Sequence, residues 1–181
     1  MACGVALWVR RGGAQSVEVP VRLQAELLSK VVAYDRNFRD RARGRALVLV
    51  VVKPGDPESA RLGEQIHDEL GVLDEFGGLP HGEEVVRFSS PRALAELAKS
   101  RGAAVVYLSA GLSEEVPSIA SALAELSVLS VAVSPAYVPK GAVLGFDAQA
   151  GRPKLVVNLQ QARLQQVAFK PELLKLARVI P

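Results

Sequence analysis

Few residues of this chain are equipped for chemistry, and their spacing limits what they can do. His67 and His81 have no cysteine or acidic partner at metal-ligand spacing. His67 lies beside the apolar stripe of its segment and His81 in a Gly/Pro-rich stretch, so both read as exposed polar groups. Neither a Gly-x-Ser-x-Gly elbow nor a phosphate-loop lysine occurs. Ser109-Ala110-Gly111-Leu112-Ser113 follows an apolar run and opens a helical pattern, where backbone N–H groups can hold an anion. It lacks the dinucleotide glycine pattern and reads first as a helix cap. No catalytic residue, metal ligand or cofactor-binding residue is therefore assigned, and no cofactor is expected.

The elements around these residues form a regular alternation. Ala46–Val52 is seven apolar residues in a row, as in a strand buried on both faces of a parallel sheet. Further strands are expected at Glu84–Phe88, Ala103–Leu108 and Val128–Val133, with helices at Glu58–Leu70, Pro91–Ser100 and Ser113–Leu126 between them. Pro20–Phe38 reads as an opening helix with Leu23, Leu27, Leu28, Val31, Val32 and Phe38 near one stripe. Such alternation implies right-handed βαβ crossovers. Ligands of open α/β sheets sit beyond the carboxyl ends of the strands. That rim gathers Lys53–Asp56, Ser89-Ser90, Ser109–Ser113 and Ser134–Tyr137, so its candidate ligand residues are Asp56, Ser90, Ser109, Ser113 and Ser134.

The stretch from Ser127 to Pro181 is more distinctive. An apolar, β-branched run ends at Ser134-Pro135. Ala142–Phe146 and Lys154–Asn158 then flank a Gln149-Ala150-Gly151-Arg152 turn, which reads as a hairpin. Asn158 is placed to cap a short helix, and Pro171–Ile180 reads as a closing basic helix. This order, with Val143-Leu144-Gly145-Phe146, Lys154-Leu155-Val156-Val157-Asn158-Leu159, Ala162 and Leu173–Ile180, resembles the C-terminal half of YfiR-like proteins. Asn158 matches the family's asparagine after the second hairpin strand, and Leu173–Ile180 its closing helix. Two departures are Leu155-Val156-Val157 in place of Phe-Glu, and Lys170-Pro171 in place of Ser-Ser. The expected fold is α/β: a three-layer sandwich whose mostly parallel sheet carries a C-terminal antiparallel hairpin at one edge.

Composition is that of one globular domain, with 49% hydrophobic and 23% charged residues in 181. No apolar run reaches membrane-spanning length. The domain is expected over 17–181, preceded by a 1–16 leader or signal-peptide remnant that holds the lone Cys3, with cleavage near Ala14 under the signal-peptide reading. Charge is uneven: nine Lys/Arg against four Asp/Glu up to Arg45, seven against fourteen from Ala46 to Ala148, and six against one thereafter. Basic ends around an acidic middle suit an acidic partner. Aromatics are 5% and do not interleave with the cations, so nucleic acid is not expected.

The resemblance implies a periplasmic, non-enzymatic regulator or sensor that forms a homodimer. It would bind the extracytoplasmic part of a membrane signalling protein of the diguanylate cyclase or sensor-kinase type, in cyclic-di-GMP signalling, without itself spanning the membrane. Arg36, Arg39 and Arg41, read as exposed, are the expected partner-binding residues, with Tyr137 in the Pro135–Lys140 loop as a second anchor. The alternative from another class is a small-ligand-binding protein resembling a truncated solute-binding protein, using the rim. A cytosolic enzyme of flavodoxin-like shape ranks last.

Overall fold

In the computed structural model, which describes residues 19–181, the predicted alternation is present. The order is α1 (Val21–Val31), a 3-10 turn (Val32–Tyr34), α2 (Phe38–Ala42), β1 (Ala46–Val52), α3 (Pro57–Gly71), β2 (His81–Arg87), α4 (Pro91–Arg101) and β3 (Val105–Leu108). Then come α5 (Val116–Leu123), β4 (Leu129–Ala132), a 3-10 turn (Pro135–Tyr137), β5 (Leu144–Gln149), β6 (Arg152–Asn158), α6 (Leu159–Leu164), α7 (Pro171–Leu176) and β7 (Arg178–Ile180). The expected 1–16 leader, with Cys3, lies outside the described residues.

The seven strands form one sheet in the order β2-β1-β3-β4-β5-β6-β7. All pairs are parallel except the β5–β6 hairpin. Because successive side chains of a strand point to opposite faces, β1 feeds two cores. Val48 and Val50 join α1, α2 and α3 on one face; Leu49 and Val51 join α4 and α5 on the other. Each such buried side chain contributes about 2 kcal/mol of transfer free energy. That double burial is why the run from Ala46 to Val52 is apolar at every position. α1 is held to the sheet by a buried polar chain: Tyr107 Oη donates to Gln24 Oε1 at 2.8 Å, and Gln24 Nε2 donates to the Val19 and Val133 carbonyls.

Helix starts follow their caps. Asp56 Oδ1 accepts from the N–H groups of Glu58 and Ser59, Ser90 Oγ from Ala93, and the Asn158 side chain from Gln161, as expected for Asn158. The hairpin turns through Ala150 (φ +50°) and Gly151 (φ +74°), the two left-handed residues that a tight primed turn requires.

Three elements differ from expectation. The opening helix is not continuous to Phe38: it ends at Val31, and Asp35 is extended (φ −87°, ψ 119°) with its carboxylate turned inward. The second strand starts earlier, at His81, which is not an exposed loop residue. Its side chain is 7% exposed, with Nδ1 3.1 Å from Glu83 Oε2 and Nε2 2.9 Å from the Leu73 carbonyl. The closing helix stops at Leu176, and Arg178–Ile180 instead adds a strand parallel to β6, so the hairpin is covered by β7 rather than forming the edge.

Candidate functional site

The carboxyl rim of the parallel strands is assembled as the topology requires, but its polar groups are largely spent on each other. The Lys53 backbone N–H donates to Ser59 Oγ at 2.8 Å, and Ser109 Oγ donates to the Ser59 carbonyl at 2.8 Å. Ser109 is wholly buried and caps no helix. Lys53 Nζ crosses to the Gly111 carbonyl (2.9 Å) and to Glu115 Oε1 (3.1 Å). Lys140 Nζ clamps Ser113 Oγ at 2.6 Å and its carbonyl at 3.2 Å. Asp56, Ser90 and Ser134 accept from backbone N–H groups two or three residues downstream of them. Asp56 Oδ2 also sits so close to Gly111 (φ +78°) that any Cβ there would strike it. Glu115 Oε2 is the one oxygen of this network that is buried without a partner among the described residues.

Tyr137, expected as an exposed anchor on this rim, is 5% exposed and its hydroxyl oxygen accepts from the Leu112 N–H at 3.1 Å. A one-turn 3-10 helix opened by Ser134-Pro135 rotates the ring inward, against the apolar core under α5.

The opposite pole of the sheet, at the amino ends of the strands, holds the arginines. Arg41 is not exposed either. Its side chain is 1% exposed and Nη1 donates to Asp35 Oδ2 at 2.7 Å, with the Asp35 side chain fully buried. Nε donates to Ser127 Oγ and Nη2 to the Gln166 carbonyl. Asp35 Oδ1 accepts from the Asn37 and Ala168 N–H groups at 3.1 and 2.9 Å. Burial of two opposite charges is tolerated here because both are hydrogen-bonded in several directions. The pair welds the α1–α2 junction to the segment before α7, where Tyr34–Arg36 and 168–170 exchange backbone hydrogen bonds.

Arg36 and Arg39 remain at the surface and form no ion pair among the described residues. They line a hollow of about 420 Å³ together with Phe38, Gly77 and Lys170. Lys170 donates to the Ala33 carbonyl at 3.3 Å and lies over the Tyr34 ring at 5.9 Å from its centre. Three cations thus surround one concavity, and the carboxylate among its lining residues, Asp35, is paired with Arg41 inside. Lys170 is the member that sequence reasoning missed. It stands 131 residues from Arg39, and no periodicity connects them.

A second hollow, of about 550 Å³, opens on the other side of α2, against the ends of α4 and α5. Among the described residues no three His, Cys, Asp or Glu side chains gather to hold a metal ion, and no helix is long and apolar enough to cross a membrane.

Comparison with known proteins places this architecture. The model of the YfiR/HmsC-like family matches residues 22–178. No curated protein matches the sequence. Among solved structures, the ABC domain from Streptococcus pneumonia in complex with L-Trp superposes with a TM-score of 0.63 at 13% identity, covering 89% of this chain and 62% of its own. A conserved domain protein from Vibrio cholerae gives 0.59 at 13% identity over 88% and 60%. The ligand-free, open form of CD0873, a substrate binding protein with adhesive properties from Clostridium difficile, gives 0.60 at 11% identity over 90% and 60%. At such identities the likeness is one of fold, and the chain spans about three-fifths of the length of these solved chains.

Proposed function

The chain belongs to the YfiR/HmsC-like family, and we propose that it serves as a periplasmic regulator that binds the extracytoplasmic part of a membrane signalling protein. The match over residues 22–178 supports the periplasmic regulatory role. The observation that carries the contact itself is the group of Arg36, Arg39 and Lys170 around one hollow. Its cations are not neutralised by an ion pair within the described chain, so an acidic segment of the partner finds them available. The partner is of the diguanylate cyclase or sensor-kinase type, and the regulator acts as a homodimer, which sedimentation of the purified chain measures. Arg41 belongs to this face only as a support, because its guanidinium is committed to Asp35.

The test is the double reversal Arg36→Glu/Arg39→Glu, which leaves the buried pair untouched. The variant is expected to keep its circular dichroism and unfolding midpoint while losing co-purification with the signalling protein from host membranes. Binding by the unaltered protein is expected to weaken as salt rises. Binding retained by the variant, with unchanged salt dependence, would move the interface elsewhere. Small-ligand binding at the carboxyl rim is the second reading, and it is disfavoured by the extent to which Lys53, Ser109, Ser113 and Lys140 satisfy one another.

A further inference from the structure

The two edges of the sheet are built differently. β7, on one side, is three residues long, and Pro181, which has no N–H to offer, follows it directly. β2, on the other, pairs with β1 along its whole length, one residue to one residue, with no proline or bulge from His81 to Arg87. Ala46 donates its N–H to the Pro80 carbonyl and Phe88 donates to the Val52 carbonyl, so the even-numbered residues of β2 face β1. The N–H and C=O groups of His81, Glu83, Val85 and Arg87 therefore point outward. No backbone hydrogen bond among the described residues reaches them, and every residue of the strand is partly or fully exposed. An uncovered edge of this length is a template for a further strand.

The side chains select the strand that fits. Residues directly opposite each other in antiparallel strands share a face of the sheet and interact. A two-fold axis at Val85 sets Val85 against its own copy, Glu83 against Arg87, Glu84 against Val86, and Gly82 against Phe88. Arg87 is exposed and forms no ion pair among the described residues. Glu83 is held by His81 through Oε2, which leaves Oε1 for a second partner. Glu84, tied to Arg101 at 3.5 Å, meets only the aliphatic Val86 across the strands. An axis at Glu83 or Glu84 would instead set identical carboxylates against each other, and an axis at Val86 would bring no opposite charges together. Of these four registers, one is self-complementary in charge.

We infer that β2 pairs antiparallel with β2 of a second copy of this chain, about a two-fold axis at Val85, so that two seven-stranded sheets become one. Main-chain hydrogen bonds from Glu83, Val85 and Arg87 supply the attraction, and the two Glu83–Arg87 pairs fix the register. The inference rests on the homodimer reading above and assigns its interface. It places that interface away from Arg36, Arg39 and Lys170, which stay open to the signalling partner.

The experiment is sedimentation of the full chain and its variants over a series of micromolar concentrations, with circular dichroism as the check on folding. Val85→Pro deletes an outward N–H that the fold does not use, and is expected to keep the spectrum while raising the dimer Kd at least about tenfold. Arg87→Glu sets a carboxylate against Glu83 at both ends of the pairing and is expected to do the same, with a loss that shrinks as salt rises. Arg87→Lys keeps the charge and is expected to dimerise within about threefold of the parent. Should Val85→Pro fail to fold, Arg87→Glu, altered at an exposed side chain, still decides. A parent that sediments as a monomer overturns this inference together with the homodimer reading. Folded Arg87→Glu that dimerises as well as the parent overturns this interface alone and leaves the homodimer reading standing.

Discussion

The buried Asp35–Arg41 pair supports a quantitative expectation. Replacing Arg41 by Met leaves Asp35 with two backbone N–H donors but without its counter-charge, in a site where the carboxylate side chain is 0% exposed. Removing one partner of a buried pair costs about 3–5 kcal/mol, because the remaining charge stays desolvated. Against a typical domain stability of about 5–15 kcal/mol, that is about a fifth or more of the total. At roughly 2–4 °C per kcal/mol for a domain of this size, the unfolding midpoint should fall by about 6 to 20 °C. Removing both charges, in Asp35→Asn/Arg41→Met, should recover much of the loss, since the amide still accepts from the Ala168 N–H and no ion is stranded. Urea unfolding followed by circular dichroism measures Arg41→Met, Asp35→Asn and the double variant as one cycle. If Arg41→Met alone costs no more than about 1 kcal/mol, as for a surface pair, the burial argument fails. It also fails if the double variant is less stable than Arg41→Met.

Three further expectations are simpler. Leu176 is 68% exposed whereas Leu173 is 4% exposed, so Leu173→Asp should lower the unfolding midpoint steeply and Leu176→Asp should leave it within a degree or so. Ala150→Gly should stabilise the β5–β6 hairpin by roughly 0.5–1 kcal/mol, because Ala150 sits at φ +50°, and a lower stability in urea would count against the turn geometry. Gly145→Ala should cost about 1–3 kcal/mol in the same assay, since the new methyl meets Val138 Cγ2 at 2.6 Å and the Pro135 backbone at 3.4 Å.

What could be read from the residues alone divides along physical lines. β1 was legible to the residue because double burial makes every position apolar, and Asn158 because a cap acts within three residues of itself. β7 was not. Leu173, Leu174, Leu176, Ala177 and Ile180 satisfy helical spacing, and only pairing with β6 shows that Arg178–Ile180 is extended. The burial of Arg41 and Tyr137 is hidden from the sequence for a related reason. Their partners, Asp35, Ser127 and Gln166 for one and Leu112 for the other, include residues more than 80 positions away for Arg41 and 25 for Tyr137. Both hollows are built from segments that meet only in three dimensions, so Lys170 beside Arg39, or Lys99 beside Arg43, carried no local signal.

The hydrogen bond from Ala168 to Asp35 joins residues 133 apart in the chain. Closing a flexible loop of that length costs about 4 kcal/mol of chain entropy before any contact repays it. Local pairings such as the β5–β6 hairpin and the β1–α3 unit carry far smaller closure terms, so they precede this one in assembly. A contact formed after the rate-limiting step leaves the folding rate almost unaltered and acts on escape from the native state. The inward turn at Asp35 is therefore expected to act as a kinetic latch. Loss of its about 3–5 kcal/mol should shorten the native lifetime by roughly two to four orders of magnitude while refolding proceeds at nearly its former rate.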